Sequence, residues 1–301
     1  METDSIEDSG KSADPKFDNW ILVESFHVIK KSKFVFLTLL PVLFLVILAD
    51  QYLSRAFLID GGAVTQGAIV RMALRDVALS LVFAVPMLVL AFVVHASVLR
   101  HQFSWQVFQN IERSKLRAFF ERSILVLAMC AFVSLVPTIL FIFDVVYIDG
   151  KLTVKPELVS TVTVITFLTA GCGFLILIWT ITWPVSVILD GDNSIQRCFR
   201  RGKKTFWYII GRVLLISPAL LVISIAASAV VVPVAKALVE AGATFSASPL
   251  GLPIWLAVPL GLINSVLYAI STVIVAVIIS RAFLIGEARL NNDRSGERSS
   301  S

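Results

Sequence analysis

Charge is scarce in this chain. Asp, Glu, Lys and Arg make up 16% of its 301 residues, where a soluble domain carries about 25%. Cys130, Cys172 and Cys198 are the only cysteines, and His27, His95 and His101 the only histidines. Their spacing excludes a disulfide framework, a CxxC metal pair and a histidine metal cluster. No glycine-rich phosphate loop, no Gly-x-Ser-x-Gly turn and no paired aspartates within apolar runs occur. Nucleotide hydrolysis and intramembrane proteolysis therefore lack their machinery, and a non-enzymatic chain without metal or cofactor is expected.

Apolar residues take the place of charge. They form 57% of the chain, and the mean hydropathy is +0.87. A bilayer crossing needs about 20 consecutive apolar residues. Runs of that order recur at Phe34–Leu53, Asp76–Leu99, Ser123–Phe143, Leu158–Leu189, Trp207–Leu238 and Ile254–Ser280. The fourth and fifth exceed what a bilayer requires, which predicts tilting or kinking. In hydrocarbon every backbone polar group must bond within the protein, so a span is a helix or a barrel strand. Barrel strands alternate polar and apolar residues. The run from Ser123 to Val133 does not. The predicted fold is all-α, a polytopic membrane bundle of about six helices.

Twenty of the 26 Lys and Arg residues fall on one side of this arrangement: before the first run, between the second and third, between the fourth and fifth, and after the sixth. Positive flanks are retained in the cytoplasm, so both termini are expected there. The first 16 residues are acidic and lack the basic head and cleavage site of a signal peptide. Residues 1–16 are read as a disordered cytoplasmic tail, 17–286 as the six-span domain and 287–301 as a second disordered tail. Juxtamembrane placement of the cations argues against nucleic acid as a partner. It favours anionic lipid head groups, which attract each such residue by about 1 kcal/mol.

Three basic segments look alike: Phe26-His-Val-Ile-Lys-Lys-Ser-Lys-Phe34, Phe108-Gln-Asn-Ile-Glu-Arg-Ser-Lys-Leu116 and Phe199-Arg-Arg-Gly-Lys-Lys-Thr-Phe-Trp207. They begin 82 and 91 residues apart. Each follows an amphipathic stretch, near 17–31, 104–120 and 193–202, suited to lie in the membrane interface. Ser104 and Asn193 or Ser194 are candidate N-caps, and Gly202 is a candidate terminator of the third helix. The pattern is read as a three-fold repeat of surface helix, basic knot and transmembrane hairpin. The competing readings are convergence of membrane-entry sequences and an inverted three-plus-three repeat.

The stretch from Trp183 to Gly211 (Trp-Pro-Val-Ser-Val-Ile-Leu-Asp-Gly-Asp-Asn-Ser-Ile-Gln-Arg-Cys-Phe-Arg-Arg-Gly-Lys-Lys-Thr-Phe-Trp-Tyr-Ile-Ile-Gly) has a recognisable form. It resembles bacterial six-span proteins related to the membrane domain of some glycerophosphoryl diester phosphodiesterases, and their stand-alone inner-membrane relatives of the YciC type. Asp190, Gly191, Ser194, Arg201, Gly202, Phe206 and Trp207 carry the likeness. It implies a bacterial inner membrane and a fold, not a reaction, since no soluble phosphodiesterase domain follows Arg289. A fainter likeness to the coupling loop of ABC importer permeases lacks the preceding Glu-Ala-Ala.

Charge at mid-bilayer is expensive, about 2.5–3.5 kcal/mol per residue, and almost none is present here. His95 is read as an interfacial side chain, Asn264 as interhelical glue and Arg212 as a snorkelling cation. Lys30, Lys31, Arg113, Lys115, Arg200, Arg201, Lys203 and Lys204 are the candidate sites for anionic lipid, with a membrane-protein partner or a second copy as the further candidates. The rival expectation is a transporter or permease subunit. Its midplane cavity would be lined by the fourth run, where Gly171-Cys-Gly173 and threonines 161, 163, 166, 169, 180 and 182 accumulate. A proline in every run supports it, because proline kinks helices.

Overall fold

The computed structural model describes residues 21–59, 66–148, 151–154, 156–189, 194–240 and 254–299. In chain order its elements are α1 (Ile21–Lys31), α2 (Lys33–Ile59), α3 (Gln66–Arg100), α4 (Gln106–Asn110), α5 (Arg113–Asp144), β1 (Val145–Ile148), β2 (Lys151–Val154), α6 (Pro156–Thr180), α7 (Trp183–Ser186), α8 (Ile195–Glu240) and α9 (Ile254–Ser299). The chain is an all-α bundle apart from one small antiparallel hairpin, in which Val145 pairs with Val154 and Ile148 with Lys151. Asp149-Gly150 in the sequence is a dipeptide that two-residue hairpin turns favour.

The six apolar runs map onto α2, α3, α5, α6 with α7, α8 and α9. Four of these, at Val77–Arg100, Thr163–Ser186, Ile195–Ile223 and Val258–Asp293, are long and apolar enough to cross a membrane. A fifth candidate is the pair α1–α2, which bends by 89° at Ser32. Phe167 is 81% exposed and Trp207 79%, and Phe132, Leu214 and Leu215 are likewise exposed. Apolar surface of this extent calls for an apolar solvent.

The helices pack as three sequential hairpins, α2 with α3, α5 with α6, and α8 with α9. α9 also touches α1, α2, α3 and α7, which makes it the hub. In its most apolar stretch 44% of residues are buried, against 11% for α6 and 12% for α8. The core lies between α9, α2 and α3, around Leu43, Phe92, Val93, Val273 and Val277. Pro41, Pro86 and Pro259 sit inside α2, α3 and α9, which continue past them.

Several expectations need correction. Gly202 does not end a helix, because α8 runs unbroken from Ile195 through the third basic segment to Glu240. Residues 287–299 are the last turns of α9 and not a loose tail. The stretch 104–120 is broken, with α4 ending at Asn110 and α5 starting at Arg113. Ser104 has φ 64° and is not the N-cap; the residue before α4 is Trp105, with no side-chain cap. The three basic segments thus adopt three backbones: a sharp corner, a break and a continuous helix. The hairpin half of the proposed repeat recurs, while the entry half does not. The long fourth run breaks after Thr180, where Pro184 removes an N–H and its ring would collide with the carbonyl one turn earlier. The 1–16 tail lies outside the described residues.

Candidate functional site at the basic end

The alternation of helices brings α1, the end of α3, α4, the starts of α5 and α8, α7 and the last third of α9 to one end of the bundle. Here the sequence-predicted cations divide. Lys30, Lys31, Arg113, Arg200, Lys203 and Lys204 are exposed, and Lys115 is half-buried. Lys31 Nζ stands 4.5 Å from the Phe103 ring centroid and Lys203 Nζ 5.8 Å from that of Trp179. Lys204 pairs with Asp293 at 2.9 Å across an exposed gap. Such a pair adds little stability.

Arg201 departs from this group. It is 1% exposed and so is not available to a lipid surface. Its Nη1 donates to Glu287 Oε1, its Nε to Thr182 Oγ1 at 3.1 Å and its Nη2 to the Thr182 carbonyl at 3.4 Å. The guanidinium lies 4.4 Å from the Phe283 ring centroid. Arg197 donates to the other carboxylate oxygen, Glu287 Oε2, through Nη2 and through Nε at 3.1 Å. One carboxylate thus holds two guanidiniums and ties α8 to α9. Burying a charge is tolerable when its donors are matched in this way.

Two glycines make room for the network. A Cβ at Gly202 would lie 2.6 Å from both the Cα and the carbonyl oxygen of Trp179. Gly202 is therefore the contact that lets α8 meet the end of α6 backbone to backbone. A Cβ at Gly286 would overlap the Cγ of Arg201, so that side chain lies flat across α9. Cys198 is buried in the same joint, with Sγ donating to the Trp179 carbonyl at 3.3 Å.

A second ion pair fastens the flat helix α1. Arg281 donates through Nε to Glu24 Oε2 at 2.9 Å and through Nη2 to Oε1 at 2.7 Å. Next to it, His95 is 4% exposed, and its Nδ1 meets Ser280 Oγ at 2.7 Å. The interfacial reading of His95 is thereby corrected: it is an α3–α9 core contact. A Ser–His pair can suggest a nucleophile and its base. Ser280 has no exposed surface, and this pair is sealed from any substrate. Ser280→Ala should destabilise the fold by about 1–3 kcal/mol, since it strands a buried ring nitrogen. Ser271→Ala, which loses only a bond to its own helix, should be nearly silent in the same detergent melts.

Of the signature positions, Ser194 accepts the Arg197 N–H at 3.3 Å and so caps α8. Trp207 faces outward, and Asp190 and Gly191 lie outside the described residues. On α6, Thr161, Thr163, Thr166 and Gly171 are exposed and Gly173 abuts Val133 of α5. Thr180 and Thr182 are instead buried, with Thr182 accepting from Arg201, so the residues expected to line one cavity are divided between exposed positions of α6 and the joint with α8. Sequence reasoning missed Glu24, Ser280, Gly286 and Glu287, read Thr182 as a cavity lining where it accepts from Arg201, and counted Arg281 only as a flanking cation. The available signal was a lone Gly-Glu pair within the apolar stretch from Ala282 to Ala288. No family model, curated protein or solved structure matches the chain.

Proposed function

We propose that this chain is an integral protein of a bacterial inner membrane that crosses the bilayer six times, keeps both termini in the cytoplasm and engages anionic lipid at its basic end without catalysing a reaction. The observation that carries this reading is α1. It turns 89° from α2, so it lies flat where α2 stands along the membrane normal. Leu22, Val23 and Phe26 are exposed on one flank, with His27, Lys30 and Lys31 beside them. A helix with this division rests its apolar flank among acyl chains and its cations among head groups. Trp207 and Phe34 add exposed aromatics at the same end, as interfacial belts do. Kinship with the membrane domain of the glycerophosphoryl diester phosphodiesterases is part of the proposal and rests on the sequence likeness of the stretch from Trp183 to Gly211.

Two measurements test it. Reporter fusions at Lys115 and Lys203 should report cytoplasm. In proteoliposomes, spin-labelled phosphatidylglycerol should be enriched severalfold over phosphatidylcholine at the protein boundary. The triple variant Lys30→Gln, Lys31→Gln, Lys203→Gln should lose most of that preference, at about 1 kcal/mol per cation. Equal enrichment of the two lipids around the unaltered protein would sink the reading.

A further inference from the structure

Arg212 sits inside an apolar stretch of α8, where a cation is costly unless its head reaches polar surroundings. Helical side chains lean toward the helix N-terminus, and the N-terminus of α8 is at the basic end. The Arg212 guanidinium accordingly lies one turn back, over the Tyr208 ring at 5.6 Å from its centroid. Tyr208 itself packs against the apolar clusters that hold Val28 of α1 and Ile278 and Ala282 of α9, the last two on either side of Arg281 in sequence. Two guanidiniums and a phenol therefore lie where α8, α9 and α1 meet, with the carboxylate of Glu24 engaged bidentately by Arg281. All four side chains are half-buried, so the seam is recessed yet open.

We infer that Arg212, Tyr208 and Arg281 form a specific site for the phosphodiester of one anionic phospholipid, distinct from the diffuse field of the exposed lysines. This rests on the reading that the basic end meets anionic lipid. The seam has donors that match phosphate oxygens: the Arg212 guanidinium, suited to paired N–H···O bonds, the Arg281 Nη1, which the pair with Glu24 does not use, and one hydroxyl. It also has a place for the tail. Leu215, Ala219 and Val222 follow Arg212 along one stripe of α8 and are exposed, Leu215 by 67% and Val222 by 64%. Helical spacing puts them on the same face, so an acyl chain descending from a head group at Arg212 runs along apolar surface.

The test uses the full chain purified in detergent. Native mass spectrometry counts bound lipid after addition of phosphatidylglycerol, phosphatidylcholine or inorganic phosphate. The unaltered protein should retain one phosphatidylglycerol more tightly than the rest. Arg212→Gln should weaken that retention about tenfold, the effect of losing one charge-assisted hydrogen bond. Arg212→Lys should fall between, and Lys203→Gln should leave the single tight lipid in place. Should Arg212→Gln not fold, Tyr208→Phe serves in its stead, with a smaller loss. Glu24→Gln should tighten retention, because it frees Arg281 for phosphate. Damage to the fold alone would loosen it. Unchanged retention in Arg212→Gln and Tyr208→Phe would overturn this site while leaving the broader lipid reading intact. Displacement of the lipid by millimolar phosphate would mark a free-phosphate site and overturn it equally. No preference for phosphatidylglycerol in the unaltered protein would remove both.

Discussion

Replacing Glu287 by alanine should unfold or grossly loosen the basic end of this protein. The carboxylate is the shared acceptor for Arg197 and for Arg201, which is 1% exposed. Removing one partner of a buried ion pair leaves an uncompensated charge, at about 3–5 kcal/mol. In detergent melts this amounts to a fall of roughly 10 °C, together with easier proteolysis after Arg289 as α9 detaches. The converse substitution separates specificity from stability. Arg201→Met with Glu287→Met removes the more deeply buried pair and should recover part of the loss, because well-packed apolar replacements of buried pairs are often neutral, while Arg197 still loses its carboxylate. If Glu287→Ala melts with the unaltered protein, the network contributes nothing to the joint and α8–α9 packing must rest on the surrounding apolar contacts alone.

Gly202→Ala should be nearly as damaging, though the substitution adds a single methyl group. The obstacle is the Trp179 backbone at 2.6 Å, which cannot rotate aside as a side chain could. α8 must then lift away from α6, and Thr182, Cys198 and Arg201 lose their mutual register. Overpacking of this kind costs about 1–3 kcal/mol and occasionally more. Two other glycines provide the contrast. Gly171 and Gly211 have nothing within 4 Å of a built Cβ, and Ala there should be neutral or stabilising by up to about 1 kcal/mol, since alanine favours helix. Parallel melts of the three variants decide the matter. Equal behaviour would mean that Gly202 is not a close-contact position.

The helices themselves were legible in composition. Each of the six apolar runs lies within a long helix or, for Leu158–Leu189, a helix with a short continuation. Hydropathy alone locates such segments because the requirement to satisfy backbone hydrogen bonds in hydrocarbon leaves little choice of structure. Helix ends were less legible. Gly202 has the residue type of a terminator, yet a glycine also permits close approach, and nothing within the segment distinguishes the two roles. The end of α9 was misread for a related reason. Glu287, Asn291 and Asp293 look like the start of a polar tail until Arg197 and Lys204 stand opposite them. Asp149-Gly150 did carry a hairpin signal, in a loop where strands were not expected.

The candidate site divides along the same line. Lys30, Lys31, Arg113, Arg200 and Lys203 are exposed as their sequence positions suggested, since a lysine or arginine without a local partner defaults to the surface. Arg201, one residue from Arg200, is buried because the 3.6-residue repeat turns neighbouring side chains to different faces, and its partner lies 86 positions away. The amino-acid sequence by itself determined that the chain is helical, strongly apolar and polarised in charge, because those properties follow from solvent preference and local periodicity. The tertiary structure alone decided which cations are locked into the α8–α9 and α1–α9 joints and which stay exposed. That choice depends on oppositely charged groups far apart in the chain being brought within hydrogen-bond reach.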